Sequence, residues 1–395
     1  MTKRLLIALI AALAVDGSTA WGAASTTPAA SAFHSMASAQ ELDVGYAPSQ
    51  IQAAYNFSPL LSGGIDGKGQ TIALIELDTF TLSDIQQFDT ANGLPAPILK
   101  EYYVGGKTFA LQNTGEATLD LEWAHALAPG ATIQIYYVNL SGARSSTADW
   151  KSLAQTVKQA VANGAKTISM SFGACTPTPG SGYTTTESAL TAVEKQGVSV
   201  FVSSGDYGPY PGPIRDCGRR VGVSYAASDP SVVTVGGTSV TLNSDDTIAS
   251  ETAWRLSGGG KGNPLPRPTW QVMHNLGPGK YRYAPDVAFD ANPNTGVAVY
   301  EKGQWEEVGG TSLGAPAWAA IWALVREDAQ QFGKTVGAAP PIVYRIGNSS
   351  AYSKAFHDIT TGSNGVYQAK VGWDAVTGWG TPDVAQFAAA VLASS

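Results

Sequence analysis

Ser312 is the first candidate for chemistry, because a serine hydroxyl at the start of a helix can act as a nucleophile. It lies in the glycine-rich segment GGTSLGAP over residues 309–316, and apolar residues recur at helical spacing immediately afterwards. The unpaired N–H groups and the dipole at a helix N-terminus favour negative charge, and a backbone N–H there could stabilise an oxyanion. Pro316 suits the first turn of such a helix. Serine is also a common N-cap, so the local pattern leaves both roles open.

Two acidic residues could supply the base for such a nucleophile. Glu116 and Asp120 are spaced i and i+4 in a predicted helix, which puts both carboxyl groups on one helix face. Like charges this close raise one pKa, and the pair can share a proton in weak acid. Glu116 could then accept the proton of Ser312 while Asp120 orients it and shares the charge. The alternative is that acids in a first helical turn merely complement the helix dipole.

Asp206 is the third candidate. It lies in the segment SSGDYG over residues 203–208, directly after an apolar predicted strand. A carboxylic acid that stays protonated can donate a hydrogen bond to an oxyanion, but an ionised one would repel it. A carboxylic base combined with a carboxylic oxyanion donor therefore implies catalysis at acid pH. The alternative is an ordinary turn aspartate, which is common beside glycine.

A seryl nucleophile usually has a histidine base, and the chain has four histidines: His34, His125, His274 and His357. None of them begins a helix in a His-Gly-Thr segment, so we expect the base not to be a histidine. Two other functions remain open. One is a subtilisin-type serine peptidase with His125 as a base, and the other is a non-catalytic exported binding module on the same fold.

The elements that must position these residues alternate between strand and helix. Apolar segments predict strands at 71–77, 132–138, 167–172, 198–204 and 231–235, and helices are predicted at 115–127, 148–163 and 185–196. Strands that are apolar on both faces, separated by helices, predict an α/β fold with a mostly parallel central sheet and helices on both faces. We expect a single catalytic domain over residues 47–395, with its site at the carboxyl ends of the strands. A hairpin is predicted around Gly303.

Composition and charge limit the range of partners. The 395 residues are 44% hydrophobic and 14% charged, which predicts a substantial core and excludes a disordered chain. Lys and Arg (24) against Asp and Glu (31) give a net charge of −7. That balance argues against nucleic acid or an anionic membrane as the main partner.

The N-terminal residues have the pattern of a targeting segment. Lys3 and Arg4 precede an apolar run over residues 5–15, which is too short to span a bilayer. We therefore predict a secretory signal peptide over residues 1–24 and a secreted protein. Residues 25–46 are rich in Ala, Ser and Thr and are predicted to be a flexible leader or a remnant pro-segment. The alternative, a membrane anchor, lacks a stop-transfer run.

Cys175 and Cys217 are the only cysteines of the chain. In an exported protein they can form one disulfide, and the alternative is two unpaired thiols. Two cysteines do not make a zinc site.

Taken together and in this order, the motifs resemble those of the sedolisin family, the serine-carboxyl peptidases. The resemblance covers residues 47–392, most of the chain. The motifs are E-x-x-x-D with Glu116 and Asp120, S-G-D with Asp206, G-T-S-x-x-x-P with Ser312, Trp254, and the segments 235–238, 257–260, 285–287, 358–360 and 372–374.

The resemblance implies a subtilisin-like α/β fold and an endopeptidase or tripeptidyl peptidase that acts in acid on peptides or proteins. By position, Ser312 is then the nucleophile, Glu116 the base, Asp120 its partner and Asp206 the oxyanion-hole acid. Glu76 matches an acid that extends the proton network in some members. We expect a monomer with no nucleic-acid or membrane partner.

The resemblance also implies one structural Ca²⁺. Asp358 and Asp374 would supply carboxylates, and the carbonyl groups of Ile359, Lys370 and Gly372 would complete the site with water. Oxygen ligands from a loop suit this cation. Without the resemblance, the same residues are two turn aspartates in a glycine-rich loop.

Three features depart from the family pattern. The family usually has a long, separately folded pro-segment, whereas about 45 residues separate the signal from the first core strand here. A pro-segment supplied in trans is therefore expected as a possible partner. Phe172 stands where some members have Trp in the proton network. Lys370 replaces a usual Gly, which a carbonyl ligand tolerates if the backbone allows it.

Overall fold

A computed structural model describes residues 3–5, 44–105, 113–138, 147–175, 182–272 and 279–394. Most of the predicted signal peptide and leader lie outside these ranges, as do His34 and His274.

A large sheet of eight strands forms the centre of the described protein. Its strand order is β11-β7-β6-β5-β2-β4-β3, all parallel, and β8 pairs antiparallel with β7. These strands are β2 (Thr71–Glu76), β3 (Ile98–Val104), β4 (Thr132–Val138), β5 (Thr167–Met170), β6 (Ser199–Ser203), β7 (Val233–Leu242), β8 (Ile248–Ala253) and β11 (Val287–Asp290).

Smaller strand pairs surround this sheet. They are β9 (Gly260–Pro266) with β10 (Tyr281–Ala284), β12 (Val297–Glu301) with β13 (Gln304–Gly309), and β14 (Phe356–His357) with β15 (Thr381–Pro382). The strand β1 (Lys3–Leu5) lies parallel to β13 and pairs Leu5 with Gly309. The predicted hairpin is present, since Lys302 and Gly303 join β12 to β13 with positive φ angles of 53° and 78°.

The helices cover both faces of the sheet. They are α1 (Pro48–Ala54), α2 (Ser58–Ser62), α3 (Leu82–Ala91), α4 (Glu116–Leu127), α5 (Thr147–Ala162), α6 (Thr184–Glu194), α7 (Ile214–Cys217), α8 (Thr311–Gln331), α9 (Ala339–Gly347), α10 (Tyr352–Ala355) and α11 (Val384–Ser394). Within the described ranges, none of them is long and apolar enough to cross a membrane.

The alternation of side chains along each strand explains why both faces are covered. On β2, Ile72 and Leu74 belong to the core that contains α4 and α8, whereas Ala73 and Ile75 belong to the core that contains α5 and α6. Successive residues of a strand point to opposite faces, so a strand that is apolar throughout requires a helix layer on each side. The predicted α/β fold with a mostly parallel sheet is confirmed.

A buried ion pair fixes the part of the sheet against which α8 packs. Arg282 and Asp286 are fully buried and joined by two hydrogen bonds of 2.9 and 2.6 Å. Asp286 also accepts the N–H of Thr234 on β7 at 2.7 Å. One residue further along β7, Val235 lies so close to α8 that a Cβ added at Gly314 would come within 2.5 Å of it. The ion pair therefore supports the strand that places α8.

Breaking this pair should destabilise the protein strongly. Asp286→Ala should lower the free energy of unfolding by about 3–5 kcal/mol, because the Arg282 guanidinium would stay buried without its counter-charge. Urea denaturation monitored by circular dichroism measures the change. Asp245→Ala is the control, since it removes an exposed carboxylate from a surface turn. Equal stability of the two variants would contradict the assigned role of the pair.

Candidate active site

Candidate residues from separate parts of the chain meet at the carboxyl edge of the parallel sheet. Glu76 ends β2, Ser171 follows β5, Asp206 follows β6, and Glu116 begins α4. Strands β2, β5 and β6 are neighbours in the sheet, so their carboxyl ends lie side by side. This edge is where ligand and catalytic sites form in open parallel sheets.

The start of α4 holds the predicted acid pair. Gly115 precedes the helix with φ of 97°, a conformation that residues with a side chain rarely adopt. Glu116 is then the first residue of the helix, and Asp120 lies one turn later. The Glu116 residue is 6% exposed and the Asp120 residue is fully buried. The structure therefore brings together the two acids that the i, i+4 spacing predicts.

Glu76 lies against Asp120, and together they form a proton-sharing pair. Burial raises the pKa of both carboxyl groups well above their usual values. A hydrogen bond between the two groups raises the pKa of Glu76 further and lowers that of Asp120. Two carboxyl groups can bond to each other only through a proton, so this pair shares at least one.

Glu116 is the carboxyl group that faces the Ser312 hydroxyl. Burial raises the pKa of Glu116 well above its usual value, and the charge of Asp120 raises it further, while Ser312 lowers it. Neither carboxyl oxygen of Glu116 has a partner of good hydrogen-bond geometry among the described residues. The Ser312 hydroxyl instead donates a long bond of 3.5 Å to the carbonyl oxygen of Ser171. The Glu116 carboxyl and the Ser312 hydroxyl therefore lie next to each other at this edge of the sheet.

Ser312 lies at the start of a helix, as predicted. Gly310 precedes α8 with φ of 137°, and Ser312 is the second helical residue. Pro316 lies in the second turn of α8 rather than in the first, which corrects the sequence-based expectation. It has no N–H, so it cannot bond the carbonyl oxygen of Ser312 four residues earlier. That oxygen instead accepts the Ser171 hydroxyl at 3.1 Å.

The Ser171 hydroxyl lies between the carboxyl group of Asp120 and the carbonyl oxygen of Ser312. Its Oγ lies 2.6 Å from Oδ2 of Asp120 and 3.1 Å from the carbonyl oxygen of Ser312. A hydroxyl carries a single proton, so the two contacts are satisfied together only when Asp120 donates a proton to Ser171. When Asp120 is ionised, Ser171 donates to Asp120 instead. The protonation of Asp120 is thereby coupled to the hydrogen bonding of the Ser312 carbonyl group.

Asp206 is anchored beside Ser312 through Thr311. Its Oδ1 accepts both the N–H and the hydroxyl of Thr311, each at 2.8 Å, and the N–H of Gly205 donates to the same hydroxyl at 3.0 Å. The charge of Asp206 also raises the pKa of Glu116, so these two carboxyl groups share one electrostatic environment.

Neither described histidine contacts Ser312. His125 is buried further along α4, where Nε2 lies 2.8 Å from the carbonyl oxygen of Pro95 and 3.6 Å from Asp89. Burial lowers the pKa of this imidazole. His357 lies 3.9 Å from Glu251 and stacks on Tyr55. The geometry therefore gives His125 no part in the seryl site.

The loop expected to bind Ca²⁺ holds both aspartates through main-chain N–H groups. Asp374 accepts the N–H groups of Val376 and Lys370 at 2.8 and 3.1 Å, and Asp358 accepts the N–H of Gly372 at 3.0 Å. In the described part of the chain, neither aspartate forms an ion pair with Lys or Arg, and no three acidic, His or Cys side chains are arranged to hold a metal. Carboxylate and main-chain oxygens are the ligand types that Ca²⁺ prefers.

A disulfide joins two loops at the same edge of the sheet. The sulfur atoms of Cys175 and Cys217 are bonded, and the Cα atoms are 5.2 Å apart. Cys175 lies four residues after Ser171, and Cys217 ends α7, which follows the loop of Asp206.

Comparison with known proteins identifies the family of this chain. Residues 104–380 match Peptidase_S8, the Subtilase family, over more than half of the chain. The chain belongs to the subtilase family.

Within that family its relatives are sedolisins. It is 30% identical to sedolisin of Pseudomonas sp. (strain 101) over 379 residues, covering 87% of this chain and 61% of that protein. It is 32% identical to kumamolisin of Bacillus sp. (strain MN-32) over 376 residues, covering 89% and 64%. The chain thus spans about three fifths of the length of these relatives.

A solved structure shows the same fold. Pseudomonas sedolisin, a serine-carboxyl proteinase complexed with two molecules of pseudo-iodotyrostatin, superposes with a TM-score of 0.76 at 29% identity. The match covers 88% of this chain and 97% of that chain. The predicted resemblance to the sedolisin family, with its subtilisin-like fold, is confirmed.

The sequence alone gives no role to three polar residues at this site. Ser171 and Thr311 are small hydroxyl residues whose contacts run to distant segments, and Asp78 lies in the loop after β2. One signal was available for Ser171, because it lies at the carboxyl end of the predicted strand 167–172 and so had to lie at the carboxyl edge of the sheet. Phe172, the next residue, packs against the core that contains α5 and α6.

Removing the Ser171 hydroxyl should destabilise this subtilase. Ser171→Ala should lower the free energy of unfolding by about 1–3 kcal/mol, because it removes the described partner of a buried carboxyl oxygen and of a buried carbonyl. Ser169→Ala is the matched control, since this serine is buried on β5 and its hydroxyl has no described partner. Guanidinium denaturation compares the two variants. Equal losses would contradict the bridging role of Ser171.

Proposed function

We propose that the protein is a serine-carboxyl peptidase that hydrolyses peptide bonds through an acyl-enzyme on Ser312. The observation that carries the proposal is that a glutamate, not a histidine, faces the Ser312 hydroxyl, within a group of buried carboxyls. Its substrates are peptides or proteins, cleaved internally or from the N-terminus as tripeptides.

Acylation begins with attack of Ser312 Oγ on the carbonyl carbon of the peptide bond. Glu116 accepts the hydroxyl proton as the new C–O bond forms, and Asp120 and Glu76 share the charge by moving their common proton. Asp206 donates a hydrogen bond to the tetrahedral oxyanion. Collapse of the intermediate breaks the C–N bond, and Glu116 gives its proton to the leaving amine.

Deacylation repeats these steps with water as the nucleophile. Glu116 accepts a proton from the water, the hydroxide attacks the acyl carbon, and Asp206 again stabilises the oxyanion. When the intermediate collapses, Glu116 returns the proton to Ser312 Oγ. The protonation of every catalytic group is then restored.

The protonation states require an acid working range. Glu116 must be ionised to accept a proton, while Asp206 must be protonated to donate its hydrogen bond. As pH rises, Asp206 loses its proton and would repel the oxyanion, so the rate falls. As pH drops, Glu116 becomes protonated and cannot act as a base, so the rate falls again.

We also propose the setting in which the enzyme works. Residues 1–24 would direct secretion, residues 25–46 would be a leader or remnant pro-segment, and the peptidase domain would extend over 47–395 as a monomer. Removal of the signal peptide would also remove β1. Assistance to folding by a pro-segment supplied in trans belongs to the same proposal.

Catalytic variants test the mechanism. Ser312→Ala should abolish peptide hydrolysis at pH about 4, the range in which carboxyl groups titrate. Glu116→Gln should lower kcat by about 10²–10⁴, since it removes the base, and Asp206→Ala by roughly 10²–10³. Steady-state assays on a peptide library measure these changes, with Ser188→Ala on the exposed face of α6 as the control.

Two results would reject the mechanism. One is wild-type activity in Ser312→Ala. The other is fastest hydrolysis in alkaline solution with loss of activity in His125→Ala, which would instead indicate a subtilisin-type base. Covalent labelling of Ser312 by a peptide aldehyde at acid pH separates an enzyme from a non-catalytic binding module.

One structural Ca²⁺ is proposed at Asp358 and Asp374, with main-chain oxygens of Ile359, Lys370 and Gly372. The cation would neutralise two neighbouring carboxylates and so stabilise the C-terminal loop. Millimolar Ca²⁺ should raise the Tm of the chelator-treated wild type, because binding to the folded state alone is stabilising. Asp374→Asn should abolish the response, whereas Asp245→Asn should keep it. A wild-type Tm that changes with neither Ca²⁺ nor chelator would reject the site.

A further inference from the structure

We infer that Asp78 is a positioning residue: it caps α4 from the loop between β2 and α3, holds Glu116 against Ser312, and sets the pH range in which Glu116 accepts a proton. This inference rests on the proposed function. Asp78 lies outside every motif that the sequence analysis singled out, and no step of the mechanism above uses it.

The contacts of Asp78 are those of a helix cap supplied by another part of the chain. Its Oδ1 accepts the N–H of Ala117 at 2.9 Å, and its Oδ2 accepts the N–H of Thr114 at 3.0 Å and the hydroxyl of the same residue. Asp78 is only 3% exposed. These bonds cross 36 and 39 residues of sequence, so they join two elements that meet only in the folded protein.

The helix needs this external partner. The first turn of any helix leaves N–H groups without intrahelical acceptors, and a side chain at the N-cap usually satisfies one of them. In α4 the N-cap is Gly115, which has no side chain. Asp78 takes over that role and binds the residues on both sides of Glu116 and its cap, namely Thr114 and Ala117. The position of Glu116 relative to Ser312 therefore depends on Asp78.

The charge of Asp78 acts on the same groups. It raises the pKa of Glu116, of Asp120 and of Glu76. Burial raises the pKa of Asp78 itself, while hydrogen bonds from Thr114, Ala117 and Glu116 lower it.

The groups that face this cluster supply little positive charge. Asp120 on α4, Glu76 on β2, Asp206 after β6 and the Ser312 hydroxyl on α8 face Glu116, and all of them are acidic or neutral. From β12, Glu301 packs against Gly115 and forms an ion pair with Lys302.

A direction follows from this arrangement. When Asp78 is ionised, it disfavours ionisation of the neighbouring base, so Glu116 keeps its proton to higher pH than it would beside a neutral residue. Replacing Asp78 by a neutral acceptor should move the acid limb of the kcat profile toward lower pH. A residue that only caps the helix would change activity without moving the limb.

The test is the pH dependence of kcat for Asp78→Asn. Asparagine keeps an oxygen for the N–H of Ala117 but loses the charge. The acid limb should move down by roughly one pH unit, the scale of a nearby charge, with KM little changed. Thr114→Val should move the limb in the same direction by less, because it removes one hydrogen bond that favours ionised Asp78. This second variant keeps the hydrogen bond from Ala117 to Asp78, so it still tests the inference if Asp78→Asn fails to fold.

Asp84→Asn is the matched control. Asp84 is a buried aspartate six residues further on, in α3, and it accepts the N–H of Lys302. Its charge acts on Glu122 rather than on Glu116, so the limb should stay in place. An unchanged limb in both Asp78→Asn and Thr114→Val, or an equal shift in Asp84→Asn, would overturn the inference.

Failure of the inference can be told from failure of the proposed function. If Ser312→Ala and Glu116→Gln lose activity but both Asp78→Asn and Thr114→Val keep the wild-type limb, only the role of Asp78 is wrong. If Ser312→Ala or Glu116→Gln retains wild-type activity, the proposed function itself is wrong.

Discussion

Carboxyl groups can stay in a protein interior only when they hold protons, receive hydrogen bonds or meet a counter-charge. At the carboxyl edge of this sheet, Glu76, Asp78, Glu116 and Asp120 share one buried region without a described cationic partner. The acids therefore have to manage their charge with protons and with N–H and hydroxyl donors. Glu76 and Asp120 share a proton, Asp78 receives N–H groups, and Ser171 bonds Asp120.

The parallel sheet makes this crowding possible. Neighbouring strands β2, β5 and β6 all end at one edge, and the segments that follow them bring Asp78, Ser171 and Asp206 within reach of α4 and α8. Pro316 has no backbone N–H to donate to the Ser312 carbonyl oxygen, so that oxygen is free to accept the Ser171 hydroxyl. Ser312 and the neighbouring acids therefore lie at the ends of elements that pack into the two hydrophobic cores.

The sequence predicts those elements whose residues follow a regular spacing within one short segment. Apolar strands such as 71–77 and 132–138 match β2 and β4 closely, and the i, i+4 spacing of Glu116 and Asp120 survives because both lie on one regular helix. The sequence does not predict the strands β8, β9 and β10, since their short, polar and glycine-rich segments lack a clear hydrophobic period. Asp78 and Ser171 could not be assigned, because their roles depend on contacts across 36 to 141 residues.

Burial of acids affects stability as well as catalysis. A carboxyl group whose pKa is higher in the folded than in the unfolded chain favours folding below its unfolded pKa, and this contribution is lost as pH rises through the folded value. Burial raises the pKa of Glu122 and Asp290, away from the proposed catalytic groups, and raises that of Asp89 to about 7. These acids therefore favour the folded state in acid and weaken it toward neutral pH. The burial that raises the pKa of Glu116 thus acts on these acids too, and there it favours the folded state more in acid than near neutral pH.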